Sequence, residues 1–137
     1  MTDSKDQNQL YDLKWLEPGI VLLQLTEENI ELDLQTTIDM HEDILAMVDR
    51  KPFRIITDAR NAFGNFSKES RDYAANQEEF DRLRIRSAVI VNSLPMRIMV
   101  NTYLKAISKG ETTRSFSDVT AAMRWLKQPA SRDEQVK

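Results

Sequence analysis

IRSAVIVNSLPMRIMVNTYLKAI, residues 85–107, changes its period in the middle. Up to Val91 it is an apolar run rich in β-branched residues, the pattern of a buried strand. After Pro95 the apolar residues Met96, Met99, Val100, Tyr103, Leu104 and Ile107 recur at spacings of three and four, the pattern of a helix. Proline suits a first helical turn, where its missing N–H would have no partner anyway. Lys109-Gly110 then reads as a glycine stop. A strand feeding directly into a helix is the repeating unit of a parallel sheet, because parallel neighbours need a crossover of helical length.

The same alternation extends in both directions. Upstream, Phe53–Thr57 is a short strand-like run followed by a polar helix from Ser67 to about Arg82. Before it, Asp33 is placed to cap a helix carrying Leu34, Ile38, His41, Leu45 and Val48, which ends ahead of Lys51-Pro52. Earlier still, Tyr11–Leu16 and Ile20–Leu25 flank Glu17-Pro18-Gly19, which predicts an antiparallel hairpin. Downstream, Thr112–Phe116 reads as a polar edge strand, and Ser117 as the cap of a last helix with Val119, Ala122, Met123 and Leu126. The expected order is β-β-α-β-α-β-α-β-α. It makes one α/β domain over residues 10–128, with polar tails at 1–9 and 129–137. A five-stranded, mainly parallel sheet with an antiparallel first strand is expected, with four helices near 34–49, 67–82, 95–108 and 118–127.

Composition removes several function classes. The 137 residues contain no cysteine, so there is no disulfide, thiolate nucleophile or cysteine zinc site. Net charge is −3, which disfavours phosphate-neutralising nucleic-acid binding. No apolar run reaches the ~20 residues of a transmembrane helix, and no secretory leader is read at the start, so a cytoplasmic location is expected. Gly19, Gly64 and Gly110 are too far apart for a nucleotide-cradling loop, and His41 is the only histidine. No cofactor is expected, and the usual catalytic constellations are missing.

Several stretches carry a family resemblance: the hairpin, the Ile38–Glu42 helix face, IITDAR at 55–60, SKESRDYAANQE at 67–78, AVIVNS at 88–93 and TRSFSDVTAAMRWLK at 113–127. Over about residues 10–128 the chain resembles small bacterial SpoIIAA-like proteins, relatives of the STAS domain, some described as STAS/SEC14-like. The resemblance implies a SpoIIAA-like (β-α)n superhelix with strands in sequential order and helices mainly on one face. It also implies a non-enzymatic regulatory or protein-interaction module whose partner is a protein or a small ligand, a homodimer being included. The alternatives are a SEC14-like protein binding a lipid or a small apolar or anionic ligand, with the Met96–Ile107 stripe as the groove, and a carboxylate-dependent hydrolase. Anti-sigma antagonists of this group are switched by phosphorylation of a serine in an Asp-Ser-Ser-Gly-like context. Here that place reads Asp58-Ala59-Arg60-Asn61, and serines follow only at Ser67 and Ser70.

Ligands of parallel sheets gather beyond the carboxyl ends of the strands. The candidate binding residues are therefore Asp58, Arg60, Asn61, Ser67 and Ser70. Their loop, residues 59–66, exceeds the ~2–6 residues usual for a strand-to-helix connection. The competing reading is structural: a local Asp58–Arg60 pair, a turn at Gly64 and Ser67 as an N-cap. His41 reads as a buried neutral imidazole with one hydrogen bond, and the Asn65-Phe66-Ser67 sequon as chance. Arg82, Arg84 and Arg86 alternate and are expected to project from one side into a solvated charge network with Glu78, Glu79 and Asp81.

Overall fold

The hairpin turns at Gly19, whose φ of +86° lies in the region that side chains resist. A Pro-Gly turn needs such a residue at its third position. In the computed structural model, which describes residues 11–25, 31–60, 65–106 and 112–129, this turn joins β1 (Tyr11–Glu17) to β2 (Ile20–Leu25), with Leu13 opposite Leu23. The expected tail at 1–9 lies outside the described residues, as does that at 129–137 apart from Pro129.

The chain then forms β3 (Glu31–Leu32), α1 (Leu34–Met47), β4 (Phe53–Asp58), β5 (Asn65–Phe66), α2 (Lys68–Ala75) and α3 (Glu78–Leu83). It ends with β6 (Arg84–Ile90), α4 (Leu94–Ala106), β7 (Thr113–Phe116) and α5 (Val119–Leu126). The main sheet has the order β1-β2-β4-β6-β7, sequential as expected, antiparallel at β1–β2 and parallel elsewhere. The short β3 and β5 pair with each other in a separate parallel ribbon that no sequence pattern announced.

Period-two alternation in the strands builds two apolar layers. On one face Val21, Leu23, Phe53, Ile55 and Val91 pack with Met40, Ile44 and Leu45 of α1, Phe80 and Leu83 of α3, and Met96 of α4. On the other face Ile20, Ile56, Ala88 and Ile90 pack with Ala122, Trp125 and Leu126 of α5. The helices thus lie mainly on one face, and α5 covers the other.

Four local expectations are corrected. The helix expected over 67–82 is two helices, so the described residues hold five rather than four. The break falls at Asn76-Gln77, where Asn76 Nδ2 donates to Asp72 O and Gln77 Nε2 donates to Tyr73 O. These two amides satisfy the last carbonyls of α2 and release the chain to restart. The buried face of α1 runs through Thr37, Met40, Ile44 and Leu45, and Leu34 at its start is exposed. An apolar count passes over Thr37, whose hydroxyl donates inward to Ser70 Oγ.

The cap of α5 is Asp118, not Ser117: its carboxylate accepts from Thr120 N and Ala121 N. Asp118→Ala is expected to lower stability by about 1 kcal/mol, the usual worth of an N-cap. A urea midpoint unchanged by the substitution would show that the cap contributes nothing.

Arg84 and Arg86 do not share a side. The β4–β6 register shifts between Phe53, opposite Arg84, and Arg54, opposite Arg86. One residue is inserted on β6, and the bulge reverses the alternation. Arg84 therefore lies over Phe80 in one layer, at 5.5 Å from the ring centre, and pairs with Asp81 at 3.0 Å. Arg86 lies over Trp125 in the other layer, at 4.7 Å. Arg86 donates to Trp125 O at 2.7 Å, and Arg54 reaches Gln128 O at 3.4 Å. A cation against the last carbonyls of a helix complements its dipole, so Arg86 holds the end of α5 on the sheet, and Arg54 holds the chain two residues beyond it.

Candidate functional site

Asp58 ends β4 at the carboxyl rim of the parallel sheet, in register with Gln24 of β2 and Ile90 of β6. The next residue, Ala59, is buried and donates its N–H to Ile90 O at 2.9 Å, which fixes the exit of the chain. Asp58 itself is only 8% exposed, a cost for a carboxylate unless it is bonded. Arg60 supplies the bonds. Its Nε and main-chain N–H donate to Oδ1 at 3.0 and 3.1 Å, and its Nη2 donates to Oδ2 at 2.8 Å. The guanidinium fork holds the Asp58 carboxyl below its ordinary range against the opposing effect of burial, with the Arg60 N–H and the Gln24 side chain adding to the pull. The Arg60 side chain stays 44% exposed. The local pair is thus real, and it holds an arginine side chain that stays partly open to solvent.

Ser67 caps α2. Its Oγ accepts from Ser70 N at 3.1 Å and donates to Ser70 Oγ at 3.0 Å. Ser70 is fully buried, accepts a second bond from Thr37 Oγ1 and donates to Leu32 O at 2.5 Å. The two serines therefore form one hydroxyl chain, with half-buried Ser67 outermost and Ser70 tying α2 to α1 and to the end of β3. Asn61, Phe63 and Gly64 lie outside the described residues. The side chain of Phe66 does too.

His41 is half buried between Phe80, at a ring separation of 4.1 Å, and Tyr73 at 5.3 Å. Its Nδ1 lies 2.9 Å from Thr37 O, and a carbonyl only accepts, so Nδ1 carries the proton. Desolvation pushes its pKa below the ordinary value and keeps the ring neutral near pH 7.

A groove away from this rim was not singled out in the sequence. Between α4 and β7 runs an open groove of about 330 Å³, lined by Arg97, Asn101, Leu104, Lys105 and the strand residues Thr113, Arg114 and Ser115. The signal was present, since Arg97, Asn101 and Lys105 recur every four residues and so share a helix face. The apolar stripe read on this helix is buried at Met96 and Leu104, whereas Met99 is 40% exposed and stands near exposed Leu94 and Ile98. Ile107 and the Tyr103 side chain lie outside the described residues.

Among the described residues no cluster of three or more histidine or carboxylate side chains is placed to hold a metal ion, and no helix is long and apolar enough to cross a membrane.

Solved structures share this architecture. An uncharacterised protein of the DUF3478 family from Shewanella loihica PV-4, with a SpoIIAA-like fold, is 12% identical with a TM-score of 0.60, over 85% of this chain and 91% of that one. The Bacillus cell fate determinant SpoIIAA in its phosphorylated form is 15% identical with a TM-score of 0.54, over 84% and 98%. The unphosphorylated form of SpoIIAA, an anti-sigma factor antagonist, is 12% identical with a TM-score of 0.55, over 87% and 99%. The fold is accordingly the SpoIIAA-like one. No curated protein matches the chain in sequence. The model of a domain of unknown function, DUF7793, matches residues 14–130, and the chain belongs to that family.

Proposed function

We propose that the protein is a non-enzymatic regulatory module that binds a protein partner at the carboxyl rim, through Asp58, Arg60, Asn61 and Ser67, with Ser70 holding Ser67 in place. The observation that carries this reading is the Asp58–Arg60 fork. A buried strand end fixes the carboxylate, and the carboxylate fixes the guanidinium of a partly exposed arginine, so a cationic contact is presented at little further cost in side-chain freedom. The same geometry argues against the hydrolase alternative. A carboxylate held ionised and bonded by a guanidinium is a poor base and a poor nucleophile. The likeness in fold to an anti-sigma factor antagonist supports regulation through a protein partner.

The test is affinity capture from the native host with wild type and with Arg60→Ala, followed by measurement of the recovered partner's affinity. Loss of about tenfold in affinity, the scale of one charge-assisted hydrogen bond, is expected. Equal capture by the variant, or substrate turnover abolished by Asp58→Ala, contradicts the proposal.

A further inference from the structure

The groove between α4 and β7 gathers donors of positive and neutral type on an acidic chain. Ser87 N of β6 donates to Thr112 O, just ahead of β7, at 2.7 Å, and Val91 N, just after β6, donates to Phe116 O at 2.9 Å. Main-chain groups alternate in direction along a strand, so Thr113 and Ser115 turn theirs away from β6, toward the outer edge. That edge has no strand partner among the described residues. Successive side chains point to opposite faces of a strand. A groove touched by Thr113, Arg114 and Ser115 in succession therefore follows the edge.

The polar side chains in it are oriented. Ser115 Oγ donates to Asn101 Oδ1 at 2.8 Å, which leaves the Asn101 Nδ2 donors for another acceptor. Thr113 is 7% exposed and lines the groove, where its hydroxyl is a further donor. Arg97 and Lys105 flank these groups from the exposed side of α4. Arg114 adds positive charge from the strand while its guanidinium rests 5.2 Å from the centre of the Trp125 ring. Among the described residues no carboxylate lines the groove, although the chain carries 22 acidic residues against 19 basic ones. Neutral donors beside exposed cations, with no competing anion among the described lining residues, suit a phosphate group better than a neutral or cationic ligand.

We propose that this groove binds a phosphate-bearing ligand, with Arg97 and Lys105 neutralising the dianion and Asn101 and Thr113 donating to its oxygens. The site lies on different elements from the rim and does not rest on the reading given to it. Phenyl phosphate, inorganic phosphate and vesicles containing phosphatidic acid separate the sources of the group. Titrated into the full-length protein by heteronuclear NMR, phenyl phosphate is expected to move the amides of Asn101, Thr113, Arg114 and Ser115. Its Kd is expected to rise by about tenfold or more in Arg97→Gln/Lys105→Gln, whose exposed positions leave the fold intact, and by severalfold in Thr113→Val. Binding of phosphatidic acid vesicles alone, lost in the double variant, would retain the phosphate site and name a lipid headgroup as its source. The proposal is overturned if no phosphate probe binds, if the double variant binds equally, or if phenylacetate binds as tightly as phenyl phosphate.

Discussion

Trp125→Ala is expected to lower the free energy of unfolding by about 3–5 kcal/mol, as large-to-small changes at buried aromatics do. That is a large share of the ~5–15 kcal/mol available to a domain of this size. Trp125 is 7% exposed in the layer formed by Ile20, Ile56, Ala88, Ile90 and Leu126, and its ring meets Phe116 at 5.6 Å. Truncation removes that contact and unseats two arginines, since Arg86 and Arg114 lie 4.7 and 5.2 Å from the ring centre. Arg86 would keep its bond to the Trp125 carbonyl, because the main chain remains. One helix covers this face of the sheet among the described residues, so no neighbouring helix fills the void. Trp125→Phe keeps an aromatic face for the guanidiniums, and its cost should fall to about 1–2 kcal/mol. Urea unfolding followed by far-ultraviolet circular dichroism measures both. A loss below about 1 kcal/mol for the alanine variant would mean that α5 contributes little to the fold.

The same helix shows what a sequence discloses and what it withholds. Its existence follows from the spacing of Val119, Ala122, Met123 and Leu126, and the parallel order of the main sheet follows from helical crossovers between strands. Pro18-Gly19 and Pro95 mark their elements because proline and glycine restrict or free the backbone whatever surrounds them. The β6 bulge is different, because it depends on how β4 and β6 meet. Without it, Arg84 and Arg86 look like one charged row. The break at Asn76-Gln77 rests on two side-chain amides bonding back to the helix, a choice that neither residue's helix propensity announces. The β3–β5 ribbon has two residues in each strand, too few for any period to register. The Asp58–Arg60 pair was legible because its members are sequence neighbours. The groove was legible on one wall only: Arg97, Asn101 and Lys105 share a helix face in the sequence, but Asn101 and Ser115 become neighbours only when the crossover closes.

Asp58→Asn is expected to destabilise the protein by about 1–3 kcal/mol at pH 7, and the deficit should shrink as the pH is lowered. The variant keeps the shape of the side chain but replaces one acceptor oxygen with a donor facing the Arg60 fork, whose Nε and Nη2 donate at 3.0 and 2.8 Å. The folded carboxyl titrates below its unfolded value of ~3.9, so the native state binds fewer protons in that window. Its stabilising contribution is present in full above the unfolded pKa and is lost as pH falls through the folded one. Wild type should therefore lose stability on acidification that Asp58→Asn, with nothing to protonate at this position, does not lose. The two urea midpoints should converge below about pH 4. Because Arg60 is 44% exposed, solvent and salt weaken the ionic part, and the lower half of the range is the better expectation at high ionic strength. Arg60→Ala leaves the Asp58 carboxylate without its fork and with the Gln24 side chain as a remaining partner, so its deficit should be similar and the double variant's clearly less than the sum. A difference between wild type and Asp58→Asn that stays constant from pH 7 to about pH 3 would show that Asp58 is not held as the ionised partner of Arg60. The fixed guanidinium on which the rim's proposed binding rests would then be lost with it.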